Sequence, residues 1–112
     1  MDAMNLLKEH RADVLRLVTE LGGRNVRVFG SVARGEADEQ SDIDLLVSME
    51  MAKNALQMRG EKKAREIEQI KIRAADMAGE AERLRHRGAH IMIEELLRPS
   101  QRRNILEQAV PL

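Results

Sequence analysis

The chain has 112 residues, one aromatic side chain (Phe29), no cysteine, and 19 basic against 19 acidic residues, which describes one small domain with a modest aliphatic core. The missing cysteines exclude a disulfide framework, a thiolate metal site and a cysteine nucleophile. No apolar run reaches the roughly 18 residues of a membrane span, MDAMNLLKEH is not a signal peptide, and zero net charge argues against a protein that grips a phosphate backbone, so the expected location is the cytoplasm.

In chain order, Leu7, Val14, Val18 and Leu21, with Leu17 beside them, predict one amphipathic helix over residues 3–21, ended by Gly22-Gly23. Asn25-Val26-Arg27-Val28-Phe29 is short, β-branched and bounded by glycine, hence a strand. Gly30-Ser31 opens a single helical turn stopped by Gly35, residues 36–40 form a polar loop, and Ile43, Leu45, Leu46 and Val47 mark a second strand over 42–48. From Ile67 the apolar positions run Ile70, Ala74, Met77, Ala81, Leu84, a heptad seam on a long charged helix over about 53–87. That seam is short and one-third alanine, so a helix laying one face on a small sheet is expected rather than a free-standing coiled coil. Ala89-His90-Ile91-Met92-Ile93 reads as a third strand. Pro99 or Ser100 opens a closing helix over 99–110, with Ile105, Leu106, Ala109 and Val110 inward and Pro111 as its stop. The fold class is α/β (α+β), a small mixed sheet flanked by helices in a single domain with a motif core over 24–48.

The chemistry concentrates in Phe29-Gly30-Ser31-Val32-Ala33-Arg34-Gly35 and Ser41-Asp42-Ile43-Asp44-Leu45. Asp42 and Asp44 are two apart on a strand, so both carboxylates point to one face. Two acids side by side in an apolar strand repel and are costly to desolvate unless a cation lies between them. All-oxygen ligands of this kind suit Mg²⁺ or Mn²⁺. At Gly30-Ser31 glycine permits close backbone approach, amides face an anion, and the hydroxyl can donate to phosphate. Alone, a D-x-D is usually a solvated strand end and a G-S a turn. A phosphate cradle beside a metal-binding carboxylate pair is what metal-assisted phosphoryl or nucleotidyl transfer requires, and the joint pattern of strand, G-S, ten residues, D-x-D and apolar strand points there where neither motif alone does.

That pattern, with the flanks VRVFGSVARGEA and SDIDLLV, resembles the DNA polymerase β-like nucleotidyltransferases and, among them, the minimal nucleotidyltransferases. The resemblance is strong over residues 5–48 and returns weakly over 97–112. It implies a polymerase β-like core, with Gly30 and Ser31 holding the triphosphate of ATP, Asp42 and Asp44 binding Mg²⁺ (or Mn²⁺), and Arg34 as an extra phosphate contact. It further implies an antitoxin that moves AMP from ATP to a tyrosine of a small helical ribonuclease toxin of the HEPN class. A homo-oligomer stays open.

The chain departs from the family in two places. The third strand usually carries an acid, and the matching position here is His90, with Glu94 and Glu95 only at the strand's end. His90 is either a proton acceptor or, as the preferred reading, a bystander. Residues 50–88 look unlike the family, whether as an insert or through alteration of the coding DNA. The alternative function is therefore a catalytically weakened relative that neutralises its toxin by binding alone. A transferase acting on a small molecule is a third reading, disfavoured because 112 residues leave little room for a second substrate domain. His86 and His90 at i, i+4 are a weak chelate, doubtful because Gly88 interrupts the helix, and Arg83-Arg85-Arg87 read as a solvated helix end. Charge divides unevenly: residues 1–50 carry 6 basic and 10 acidic residues, residues 51–112 carry 13 and 9.

Overall fold

The computed structural model describes residues 3–38, 41–85 and 87–112, with the Arg85 side chain left aside. Its centre is strand β2 (Ile43–Met49), whose IDLLVSM run is buried almost throughout, as an interior strand covered on both faces must be. Strand β1 (Gly23–Phe29) pairs antiparallel with one edge of β2, and β3 (Ala89–Ile93) pairs parallel with the other. A two-residue β4 (Val110–Pro111) adds to the outer edge of β1, so the sheet order is β3-β2-β1-β4. The sheet is mixed and flanked by helices, as the sequence predicts. Near its start β1 shifts register between Arg24 and Arg27, where Asn25 adopts a positive φ of 53° that asparagine tolerates better than most residues.

Alternation along β2 sends Leu45 and Val47 to one face and Asp44, Leu46 and Ser48 to the other. The first face is closed by α2 (Arg11–Glu20) and α5 (Gly60–Arg85). At Gly23 these layers converge: a Cβ there would lie 2.6 Å from both Val18 Cγ1 and Val47 Cγ1 and 3.1 Å from Met77 Cε, so only glycine fits. The heptad seam of α5 is its core face, with Ile70, Met77 and Ala81 buried and Ile67, Ala74 and Leu84 packed against the same core.

Beyond shifts of one or two residues at the ends of β1 and β2, which leave Asp42 just outside its strand, three helices differ from the sequence reading. The first helix breaks at His10 into α1 (Ala3–Glu9) and α2, which lets α1 bury Ala3 and Leu7 while packing beside α3 (Gly30–Ala33). The helix expected over 53–87 is two, α4 (Glu50–Ala55) and α5, separated at residues 56–59 ahead of Gly60 with φ +60°. The break lets α4 bury Ala52 and Ala55 while packing against α5. The closing helix α6 (Pro99–Gln108) ends two residues early. Ala109 turns to an extended ψ of 132°, and Val110, expected inward, is an exposed residue of β4. Leu112 N–H donates to Val26 O at 3.1 Å, so a second edge of backbone pairing outweighs one more helical turn. Pro111 is tolerated there because an edge strand can spare a donor. Among the described residues no helix is long and apolar enough to cross a membrane.

At the end of β3 the 3₁₀ turn Glu94–Leu96 carries two acids with internal work. The Glu94 carboxylate pairs with the half-buried Arg27 guanidinium, which also donates to Ser48 Oγ at 3.3 Å. Glu95 Oε1 accepts the Met49 N–H at 3.1 Å. Glu94→Gln is expected to cost about 2 kcal/mol in a denaturant titration, because it leaves the Arg27 charge poorly compensated beside the sheet.

Candidate active site

β1 ends at Phe29, paired with Asp44 across the ladder, and the chain turns at Gly30 into α3. Gly30 has φ +71°, and a Cβ built there would collide with Asp44 Oδ2, so the bare glycine backbone lies directly against the Asp44 carboxylate. Asp42 lies one residue before β2. Its Oδ1 is where a Cβ on Gly88 would fall, and the Gly88 carbonyl accepts the Ile43 N–H at 2.9 Å. Each carboxylate is thus backed by a glycine, Asp44 from the β1 side and Asp42 from the β3 side.

His90 stands opposite Asp44 in the parallel ladder and closes the site. Its Nδ1 is 3.3 Å from Asp44 Oδ1 and its Nε2 3.5 Å from Asp42 Oδ2. The bystander reading of His90 is therefore corrected: strand register places it on the carboxylate face. Neither Glu94 nor Glu95 replaces an acid at this point, since both serve the turn after β3. Burial pushes the Asp44 carboxyl above its usual range, and the nearby Asp42 charge adds to this, while His90 and Arg34 pull the other way. The Asp44 side chain is 24% exposed against 52% for Asp42, so Asp44 bears the larger cost of desolvation.

The remaining sequence-predicted residues are placed as follows. Ser31 is half-buried in the first turn of α3, and no described residue engages its hydroxyl. The opening amides of this turn have no intrahelical acceptor and no capping side chain. Arg34 donates from Nε to Glu36 at 3.0 Å and from Nη1 to Gln108 Oε1 at 2.8 Å, which ties α3 to α6. Its Nη2 has no partner among the described residues, and its charge is one of those acting on Asp44. Of the weaker candidates, His86 lies outside the described residues. Arg83 is paired with Glu80 at 2.9 Å, and Arg87 donates from Nη2 to Asp38 O at 2.8 Å while its buried Nη1 has no partner among the described residues.

Among the described residues no group of three or more His, Cys, Asp or Glu forms a self-sufficient metal site. A carboxylate pair is nevertheless the donor set Mg²⁺ takes when substrate phosphates and waters complete its shell. The partly buried Asp44 carboxylate beside the more exposed Asp42, with the bare Gly30 backbone against its Oδ2, fits such a cation. Next to this pair runs an apolar groove of about 670 Å³, which Asp44 and His90 enter from one end. The sequence reading missed two features: Gly88 as the backing of Asp42, since it looked only like a helix stop, and the groove, which three distant elements build.

A Gly-Ser turn after β1, a carboxylate pair at the start of β2 and this sheet order together define a mixed α+β domain with an acidic site at one end of its sheet. The profile of the nucleotidyltransferase domain family matches residues 7–112, and the chain belongs to that family. The match spans α5, so the long helix lies within the family's domain. A solved structure described as a candidate minimal nucleotidyltransferase superposes with a TM-score of 0.69 at 37% identity, covering 100% of this chain and 97% of its own. A Methanocaldococcus jannaschii protein named as a candidate protein adenylyltransferase is 38% identical over 47 residues, 42% of this chain and 46% of that protein. The aligned stretch therefore spans about half of that relative's length.

Proposed function

We propose that the protein transfers AMP from ATP to a protein hydroxyl, a tyrosine of a cognate HEPN ribonuclease toxin, and acts in the cytoplasm as the antitoxin of that pair. The observation that carries the reading is the pair Asp42 and Asp44, each backed by a glycine and flanked by the Gly30-Ser31 turn. Asp42 and Asp44 would hold Mg²⁺ or Mn²⁺. When bound, the cation neutralises triphosphate charge and polarises the α-phosphate. The Gly30 and Ser31 amides and the Ser31 hydroxyl hold phosphate oxygens, and Arg34 adds a contact. The acceptor oxygen forms a bond to the α-phosphorus as the bond to the β-phosphate bridging oxygen breaks. Pyrophosphate leaves with the electron pair, and the hydroxyl proton passes to the His90 imidazole, the side chain nearest both carboxylates.

The test is incubation with labelled ATP, Mg²⁺ and the product of the neighbouring gene. Label on the partner that is lost in Asp42→Ala/Asp44→Ala supports transfer. No label, where a related active transferase labels its own partner, overturns it. A second reading, neutralisation by binding alone, is favoured by the absence of an acid anywhere in β3. In that case the double variant still suppresses the toxin.

A further inference from the structure

The groove beside the carboxylate pair has a form that points to its occupant. β3 is the outermost strand of the sheet, and no described strand pairs with its outer edge. All 5 residues of β3 line the groove, and successive residues of a strand face opposite sides, so the groove follows the β3 edge, while Phe29 of β1 and Asp44 of β2 line the part that reaches across the sheet. One wall is the small-residue flank of α5, Ala74, Ala75 and Ala78, and the other is Gln101 and Ile105 of α6. Small side chains on one wall leave room for another backbone beside β3.

Position relative to the transfer step assigns this space to the acceptor. The phosphate turn Gly30-Ser31 lies at the end of β1, the carboxylates on and beside β2, and His90 on β3, in that order across the sheet. In-line displacement puts the attacking oxygen opposite the departing pyrophosphate. With pyrophosphate held on the β1 side, the acceptor arrives from β3, along the groove. Charge adds a second marker. The groove is apolar apart from Asp44 and His90 at one end, Gln101, and Lys71 of α5, whose ammonium group has no partner among the described residues. Only residues 86–88 join α5 to β3, so Ala78 lies nearer the carboxylates and Lys71 toward the far end. The helical rise puts Lys71 about 10 Å beyond Ala78, a span of about three residues of extended chain.

We propose that this groove receives the acceptor polypeptide as an extended, apolar segment that adds a strand to β3, with its hydroxyl residue at Asp44 and His90 and an acidic side chain about three positions away at Lys71. The proposal rests on the transferase reading above and names the form of its acceptor. Main-chain pairing with the β3 edge supplies affinity independent of sequence, and the alternate side chains enter the apolar walls.

The probe is a fluorescein-labelled peptide of about nine residues, strand length for such an edge, with alternating apolar residues, a central tyrosine and an aspartate three positions on. Fluorescence anisotropy with the full-length protein should show saturable binding that survives saturating Mg-ATP. Lys71→Glu should weaken it by about five- to tenfold, the scale of one exposed charge pair reversed. A peptide carrying lysine in place of the aspartate should recover affinity for Lys71→Glu. Proline or N-methyl substitution at the pairing positions, and Ala78→Arg in the groove wall, should each weaken binding more than tenfold. Displacement of the peptide by Mg-ATP, indifference to the charge swap, or indifference to N-methylation overturns the proposal. Peptide binding without label transfer would overturn the transferase reading and leave the groove, whereas transfer to a partner without peptide binding would do the reverse.

Discussion

Asp44→Asn is expected to reduce AMP transfer by at least about a hundredfold, the scale of losing a principal electrostatic group at a reacting centre, and at the same time to raise the melting temperature of the protein without metal or nucleotide. The stability half follows from the direction of the Asp44 shift. Its carboxyl is held above its usual value of 3.8, chiefly by burial, so folding favours the protonated form. That contribution is present in full below the unfolded value and is lost as pH rises through the folded one. Above the folded value the ionised Asp44 therefore weakens the fold, and the neutral isostere removes that penalty while keeping a hydrogen-bonding group toward His90. Adding Mg-ATP should reverse the order. Wild type gains about 2.7 kcal/mol at a hundredfold excess over Kd, and the variant gains little. Thermal unfolding of both proteins between pH 4 and pH 8, with and without Mg-ATP, checks this. A variant less stable than wild type at neutral pH without ligand would show that Asp44 serves the fold rather than the site.

Gly30→Ala is expected to inactivate, whereas Gly35→Ala is tolerated. Both glycines have positive φ, +71° and +72°, so both substitutions carry the backbone cost of about 1 kcal/mol that a side chain brings in the left-handed region. They differ in what the new methyl meets. Around Gly35 there is nothing within 4 Å, while at Gly30 the methyl falls on the Asp44 carboxylate. Asp44 must then swing away from His90 or the β1–α3 turn must shift, and either movement separates the phosphate turn from the carboxylates. A displacement of about 1 Å at such a centre costs on the order of a hundredfold in rate. Gly35→Ala should keep transfer within a few-fold of wild type and lower stability by the backbone cost alone. Label-transfer rates and chemical denaturation of the two variants side by side check the contrast. Equal activity of both would show that the Gly30–Asp44 contact does not matter to the chemistry.

Much of this site was legible before any coordinates. The ten-residue gap from Gly30-Ser31 to Asp42 is long enough for a helical turn and a loop that return the chain to the neighbouring strand, and the structure brings the two motifs together in that way. The heptad seam foretold which face of α5 is buried, because a 3.5-residue period has one reading on a helix. Strand β3 was legible from its composition. The breaks at His10 and at residues 56–59 were not, because neither follows from a helix-breaking proline and each depends on where a second helix has to pack. The fate of Val110 was hidden for a related reason. An apolar residue after a helix looks like a further turn until a free strand edge is available to pair with it.

The acidic first half and basic second half belong to one sheet, and the motif on the acidic half is completed from the basic one. By itself the sequence determined the carboxylate pair, the Gly30-Ser31 turn, the strands they adjoin and the lack of an acid in β3, because residue type, spacing and the two-residue strand period are local properties. Only the tertiary structure decided what His90 faces, which backbone lies behind each carboxylate, and where the apolar groove runs. Those depend on the parallel register of β3 against β2 and on two helices meeting at the sheet edge. A shift of that register by one residue would turn His90 to the opposite face of the sheet.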